Sequence, residues 1–402
     1  MGEIILCPEQ CEAVQLAISH RLSIILGGTG SGKTTLIHAI ASMHDTPLSQ
    51  VLCAPTGKAA RNLTERTGYT ARTVHSALGL HPNDDFLSPV VWNNISLVIV
   101  DEASMMTLEM LAGILSRVHE TCRIVLLGDY NQLLSVGSGN VLLDLLHLGV
   151  PNIRLEANHR QHTQATGLLH NVVGFSELMS TCDLTFDDSF TMVELDESAV
   201  CEALTTEAVR RYLANESVQV LSPYNKVTDL SVSKLNTIIQ RQVNPPNQDT
   251  PEVQYEQTVF RNGDRVIITQ NDRERNCSNG DIGIFRILRS EGELLRYCVE
   301  LPDGRCPVWE HKAELATLSL AYALTVHKVQ GSEMDTILMP ITDSFSNMLY
   351  RNLLYTAISR GKKKVILYGS MNAVGVALQT PARTRRSQLV VKTHAAMMRR
   401  AG

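Results

Sequence analysis

Six residues that invite a phosphate stand close to the start of the chain. Gly27-Gly-Thr-Gly-Ser-Gly32 leads directly into Lys33-Thr34, a full match to the nucleotide P-loop pattern. Glycines let the backbone wrap closely, so that successive N–H groups of Gly28, Thr29, Gly30, Ser31 and Gly32, and those of the following helix start at Thr34 and Thr35, point at phosphate oxygens. Lys33 supplies the charge for the β and γ oxygens, and the Thr34 hydroxyl is placed to hold Mg²⁺. The chemistry implied is binding and cleavage of ATP with Mg²⁺.

Such a cradle needs carboxylates opposite it. Leu97-Val-Ile-Val100 runs into Asp101-Glu102, two adjacent acids at the end of an apolar run. Asp101 is expected to reach the metal through water, and Glu102 to take the proton of the attacking water. A third run, Arg123 to Leu127, ends in Gly128-Asp129-Tyr-Asn-Gln132, which puts Gln132 in a position to sense a γ-phosphate.

The elements that must position these groups are legible around them. Leu22–Leu26 reads as a short strand entering the glycine loop. Thr34–Ser42 has helical spacing through Leu36, Ile37 and Ile40, and Thr107–His119 has it through Leu108, Leu111, Leu115 and Val118. Strand, helix, strand, helix, strand in this order predicts a doubly wound α/β core whose strand ends converge on the ligand. Residue chemistry alone thus reaches a nucleotide hydrolase and not its task.

Composition sets the outer bounds. A chain of 402 residues has room for about two or three domains. With 44% apolar and 19% charged residues it is ordinary globular material, and no apolar run approaches the roughly 18 residues of a membrane span. Nine cysteines without a Cys-x-x-Cys pair suggest reduced thiols in a cytoplasmic protein. Glu3, Glu9 and Glu12 contradict a signal peptide, and the core is expected to begin at once. A net charge of −5 hides an uneven distribution. Residues 171–209 hold nine acids and no Lys or Arg, read here as a solvated face, whereas residues 381–402 hold six bases and no acid. A negative total does not exclude a positive groove along a nucleic acid.

The motif order carries further than any single motif. Pro8-Glu9-Gln10 precedes the P-loop, and Ala54-Pro55-Thr56-Gly-Lys58 and Thr73-Val-His75 follow it. After Asp101-Glu102-Ala-Ser-Met come Gly128-Asp-Tyr-Asn-Gln132 and Asn158-His-Arg160-Gln. Far downstream lie Thr325-Val-His327-Lys328-Val-Gln330-Gly331-Ser-Glu333 and Tyr355-Thr-Ala-Ile-Ser-Arg360-Gly. Over nearly the whole chain this series resembles superfamily 1 helicases of the 5′→3′ branch, specifically the RecD-like group. Leu221-Ser-Pro-Tyr-Asn-Lys226, Asn279-Gly-Asp-Ile-Gly283 and Thr384-Arg-Arg-Ser-Gln-Leu389 are similar to that group in particular. Departures are Thr29 in place of Pro, Ser31 in place of Thr, Val-Thr-Asp after Lys226, and the lack of the long N-terminal region of many relatives.

The resemblance implies two RecA-like P-loop NTPase lobes. The first covers residues 1–160. The second covers 161–260 and 314–380, interrupted by an SH3-like β-barrel at 261–313, and a basic segment spans 381–402. By the same resemblance Gln10 reads the adenine edge, Gln132 and Arg160 meet the γ-phosphate, and Arg360 arrives from the second lobe. Gln330, Gly331 and Glu333 join the nucleotide set. An arginine stabilising the phosphoryl-transfer transition state is worth roughly 10³–10⁵ in rate. Pro55, Thr56, Lys58 and His75 in the first lobe, with Thr325, His327 and Lys328 in the second, fall in motifs that hold the strand backbone, where donors and cations suit phosphate oxygens without reading sequence. For His75 and His327 a buried histidine serving the core is the competing reading.

Residues 79–94 take the place of the family's β-hairpin wedge, where Phe86 stacks on a base pair or, with Trp92, simply anchors the loop. The barrel is expected as five apolar runs: Arg265–Thr269, Ile282–Leu288, Leu294–Val299, Glu300–Leu301 and Pro307–Trp309. The function implied is a monomeric ATP-dependent DNA helicase that engages single-stranded DNA and single-strand/duplex junctions, its polarity resting on resemblance alone. An ATP-gated single-strand clamp without processive unwinding, and an RNA helicase, are the alternatives.

Overall fold

Two parallel sheets organise the chain, each the centre of its own unit. The computed structural model describes residues 5–44, 49–80, 92, 94–134, 137–156, 166–176, 181–226, 228–248, 250–289, 295–381, 388–393 and 396. Unit 1 comprises residues 1–162 with 382–402, and unit 2 comprises residues 163–381.

Unit 1 has strands β1 (Leu22–Gly27), β2 (Gln50–Ala54), β3 (Ala71–Thr73), β4 (Leu97–Val100), β5 (Arg123–Gly128) and β6 (Asn152–Leu155), all parallel, in the order β3-β2-β4-β5-β1-β6. Its helices are α1 (Pro8–Ser19), α2 (Lys33–Ser42), α3 (Gly57–Thr67), α4 (Val74–Ala77), α5 (Leu108–Leu115) and α6 (Val141–His147). All four residues of β4 are buried, which is why the strand reads as an unbroken apolar run. The two-residue alternation sorts the core. Ile24, Leu26, Val98, Val100, Ile124 and Leu126 pack on one face with Leu111, Ile114, Leu142 and Leu145. Ile25, Ile99, Val125 and Leu127 pack on the other with Ala13, Leu36, Ile37, Ile40 and Leu63. Leu389 from the C-terminal segment packs against the first of these clusters.

The helix expected over Thr107–His119 stops at Leu115. The chain then turns so that Val118 bridges to Trp92, which packs on the core as an anchor. Phe86, and with it the tip of the expected wedge, lies outside the described residues.

Unit 2 has β7 (Phe190–Glu194) and β8 (Val218–Ser222), then β9 (Glu252–Tyr255), β10 (Thr258–Arg261), β11 (Arg265–Ile268), β12 (Ile282–Arg289), β13 (Leu295–Glu300), β14 (Val308–Trp309) and β15 (Leu318–Leu320). β16 (Ala323–Thr325), β17 (Met334–Ile341) and β18 (Gly361–Gly369) follow. The parallel sheet runs β16-β8-β17-β18-β7 and is flanked by α7 (Thr166–Ser176), α8 (Glu197–Leu213), α9 (Val232–Val243), α10 (Arg351–Ile358) and α11 (Met371–Gln379).

Between α9 and β16 the chain leaves this sheet for a five-stranded antiparallel one, β14-β13-β12-β11-β15, with the hairpin β9–β10 beside it. This is the SH3-like insertion. At its centre Phe285 stacks on Tyr297 and meets Phe260 at a tilt of 43°, with ring centroids 5.9 and 5.5 Å apart. Two expectations are corrected here. Glu300–Leu301 is not a strand of its own: β13 continues through Glu300, and Leu301 opens the turn by donating to the Arg305 carbonyl. The antiparallel elements also extend beyond 261–313, because β9 and β10 precede Arg265 and β15 closes the sheet against β11 after the expected end. Leu318-Ser-Leu320 is too short to announce itself by periodicity. The insertion is fastened by Asp264, wholly buried, whose carboxylate accepts from Asn244 Nδ2 (2.8 Å), the Arg261 N–H (2.7 Å) and Tyr322 OH (3.0 Å), as well as from Gln240 Nε2.

Candidate nucleotide and strand sites

Strand order explains the nucleotide site in unit 1. β5 lies between β1 and β4, so the loops leaving the C-terminal ends of these three neighbours emerge side by side. β1 delivers the glycine loop, β4 delivers Asp101 and Glu102, and β5 delivers the turn from Gly128 to Gln132.

The loop is shaped by its glycines. Gly32, at the N-terminus of α2, has φ of 81°, which a side chain resists. A Cβ on Gly27 would lie 2.3 Å from Ser31 Oγ and 3.2 Å from Ser31 Cβ, so any larger residue there must displace the Ser31 side chain. Ser31 Oγ donates to the Gly28 carbonyl at 2.9 Å, the loop-bracing role that the Thr-to-Ser departure preserves. Lys33 Nζ donates back to the carbonyls of Gly27 (2.6 Å) and Gly28 (2.9 Å).

Asp101 is pushed up to about 6, first by burial and then by the adjacent Glu102, with Lys33 opposing. Its Oδ1 accepts from the Glu102 N–H at 2.9 Å. Glu102 is held with φ of 51° and ψ of 39°, the left-handed region that a non-glycine residue enters at a cost. Gln132 is 2% exposed and ends a turn in which its N–H donates to the Asp129 carbonyl (3.1 Å) while Asp129 Oδ1 accepts from Asn131 N–H (3.0 Å). Gln10 is buried, and its Oε1 accepts from Cys7 N–H at 3.1 Å in a capping box at the start of α1, so its side chain has a structural task as well. Arg160 lies outside the described residues.

The donor set fits a hard divalent cation: a carboxylate from Asp101, close enough to Lys33 to feel its charge, and a hydroxyl from Thr34, both oxygen.

Of the residues expected to hold a strand, Thr56 caps α3, its Oγ1 accepting from Ala59 N–H at 3.2 Å. His75 lies in α4, where burial lowers its pKa and favours the neutral ring. In unit 2, Thr325 ends β16 and caps the following 3-10 turn by accepting from Lys328 N–H (3.4 Å); that turn carries His327 and Lys328. Burial lowers the Lys328 pKa. Gln330 is buried, Gly331 has φ of 73°, and Lys362 Nζ lies 3.8 Å from the Glu333 carboxylate. Arg360 is 3% exposed: its Nε donates to the Thr356 carbonyl (3.2 Å) and its Nη2 to Ser359 Oγ (3.0 Å).

Three family models match. Residues 5–173 fit an AAA domain, residues 235–296 the SH3 domain of ATP-dependent RecD-like DNA helicases, and residues 320–368 a UvrD-like helicase C-terminal domain. The ATP-dependent RecD2 DNA helicase of Deinococcus radiodurans is 36% identical over 97% of this chain and 53% of its own length. The chain is thus similar to RecD-like helicases along nearly its whole length. It spans about half the length of that Deinococcus relative. The RecD subunit of the RecBCD enzyme of Mycolicibacterium smegmatis is 29% identical over 93% of this chain and 73% of that one. In fold the chain is similar to Bacteroides Pif1 bound to single-stranded DNA, with a TM-score of 0.57, 18% identity, and coverage of 99% of this chain and 98% of that one. Among the described residues, no helix is long and apolar enough to cross a membrane.

Sequence reasoning passed over Ser104 and Asp144. Both are buried polar residues close to the turn that follows Asp101 and Glu102, and neither residue type announces burial in a sequence.

Proposed function

We propose that this chain is an ATP-dependent DNA helicase that moves 5′→3′ along single-stranded DNA and opens duplex at a junction, working as a single chain. The observation that carries the reading is the convergence of the glycine cradle with Lys33, the Asp101–Glu102 pair and the Gln132 turn on three adjacent strand ends. Thr34 and Asp101 would hold Mg²⁺, which neutralises charge building on the β and γ oxygens. Lys33 exchanges its two loop carbonyls for phosphate oxygens, Glu102 accepts the proton of the attacking water, and Gln132 registers the γ-phosphate. Arg160 and Arg360 supply cationic stabilisation of the transferring group. Thr56, Lys58 and His75 on one unit, with Thr325, His327 and Lys328 on the other, grip the strand through its phosphates.

The test is strand separation on 5′-tailed and 3′-tailed duplexes, alongside ATP hydrolysis with single-stranded DNA or RNA. Unwinding of the 5′-tailed substrate only, with hydrolysis stimulated by DNA, is expected. Strand-stimulated hydrolysis with neither duplex opened would replace the helicase by an ATP-gated clamp, and stronger stimulation by RNA would reassign the substrate.

A further inference from the structure

Between Glu102 and α5 the chain makes a 3-10 turn, Ala103–Met105. The turn presses on the end of β5: a Cβ built on Gly128 would lie 3.0 Å from the Ser104 amide nitrogen and 3.1 Å from Leu142 Cδ2 of α6. Gly128 is therefore the seat on which the catalytic-base turn and α6 both rest, and it opens the segment that ends at Gln132.

Two polar atoms stand out in this junction. Ser104 is 6% exposed, and its Oγ finds no hydrogen-bond partner. Asp144, on α6, is 8% exposed, and its Oδ2 is the one buried carboxylate oxygen among the described residues that is also without a partner. α6 packs against the turn that carries Ser104. A buried hydroxyl left unpaired destabilises the fold, and an unpaired carboxylate oxygen does so more strongly. A donor and an acceptor, each unsatisfied, thus lie on two elements that touch. Two residues before the hydroxyl, Glu102 is held in a strained backbone conformation.

We infer that Ser104 is a positioning residue for Glu102: its hydroxyl donates to the Asp144 carboxylate when the Gly128–Gln132 segment shifts on engaging a γ-phosphate. The inference rests on the reading of Glu102 as the base. In the chain as it stands, the pair is open and the Glu102 backbone carries the strain. Movement of the β5 segment changes the seat shared by the turn and α6, the bond forms, and the turn settles with the Glu102 carboxylate aimed at the attacking water. The unsatisfied pair is a resting-state cost that closure removes, so it biases the site toward closure only when nucleotide is bound.

The experiment is a double-mutant cycle on the full chain, read in steady-state ATP hydrolysis at saturating single-stranded DNA and in thermal unfolding. Ser104→Ala is expected to lower kcat at least tenfold, to leave KM for ATP within twofold, and to leave the unfolding midpoint level or higher. A hydroxyl already held in the resting fold would instead give a lower midpoint. Asp144→Ala is expected to lower kcat similarly, and the double variant to lose no more than either single one. Unchanged kcat in Ser104→Ala, a lower midpoint in that variant, or losses that multiply in the double variant would each overturn the inference. Ser104→Ala decides the matter alone should Asp144→Ala fold poorly, since it removes a single atom. Glu102→Gln separates the two levels of the argument: if it blocks turnover while Ser104→Ala does not, the base stands and the positioning role falls.

Discussion

Lys33 Nζ donates to the Gly27 carbonyl across 2.6 Å and to Gly28 across 2.9 Å, so the cation is already parked inside the loop it serves. To meet a phosphate, the ammonium would have to give up these two carbonyls. Charge-assisted bonds to neutral carbonyls are weaker than those to phosphate, which sets the direction of exchange.

Lys33→Ala removes both the brace and the charge. Hydrolysis is expected to fall by at least about 10³-fold, while binding of a fluorescent single strand without nucleotide stays within a few-fold. Turnover near the parent rate would remove the phosphate assignment.

Asp101 gives a pH signature. Its carboxyl in the folded chain loses its proton near 6, against 3.8 ordinarily, because burial opposes the charge. The folded state therefore binds the extra proton between those values. The stability this contributes is present at low pH and is lost as pH rises through 6. In metal-free buffer at pH 7.5, Asp101→Asn is expected to be more stable than the parent by on the order of 3 kcal/mol, an advantage that vanishes below pH 4. Hydrolysis is expected to be abolished in the same variant. Urea unfolding at the two pH values checks the sign.

Arg360 is tied down by the Thr356 carbonyl and the Ser359 hydroxyl. Arg360→Ala should lower kcat by about 10³-fold or more with little change in nucleotide affinity. Arg360→Lys should not restore it, since an ammonium lacks the planar fork. Single-turnover hydrolysis with separately measured nucleotide binding distinguishes the two effects.

The Asp264 hub predicts a purely structural phenotype. Tyr322→Phe withdraws one donor from a fully buried carboxylate, at about 1–3 kcal/mol. Denaturant unfolding followed through Trp309, itself 1% exposed, should show the loss.

How much of this was readable beforehand follows from burial. Strands covered on both faces, such as Leu97–Val100 and Arg123–Gly128, appear as unbroken apolar runs, and the groups at their C-terminal ends are fixed once the runs are found. Leu318–Leu320 and the 252–261 hairpin escape because three or four residues are too few to establish a period, and only pairing with β11 or with each other makes them strands. The capping bond of Gln10, the buried setting of Arg360 and the pair Ser104 and Asp144 escape for another reason. Each depends on what a polar side chain meets in three dimensions, and spacing along the chain says nothing of that.

Leu389 fills part of the core that Ile24, Val98 and Leu126 begin, although more than two hundred residues of the other unit intervene. During synthesis, therefore, the strands of this sheet leave the ribosome before Leu389 does, and that neighbour can join them only after all of the other unit has been made. Translation order and completion of that core run in opposite senses.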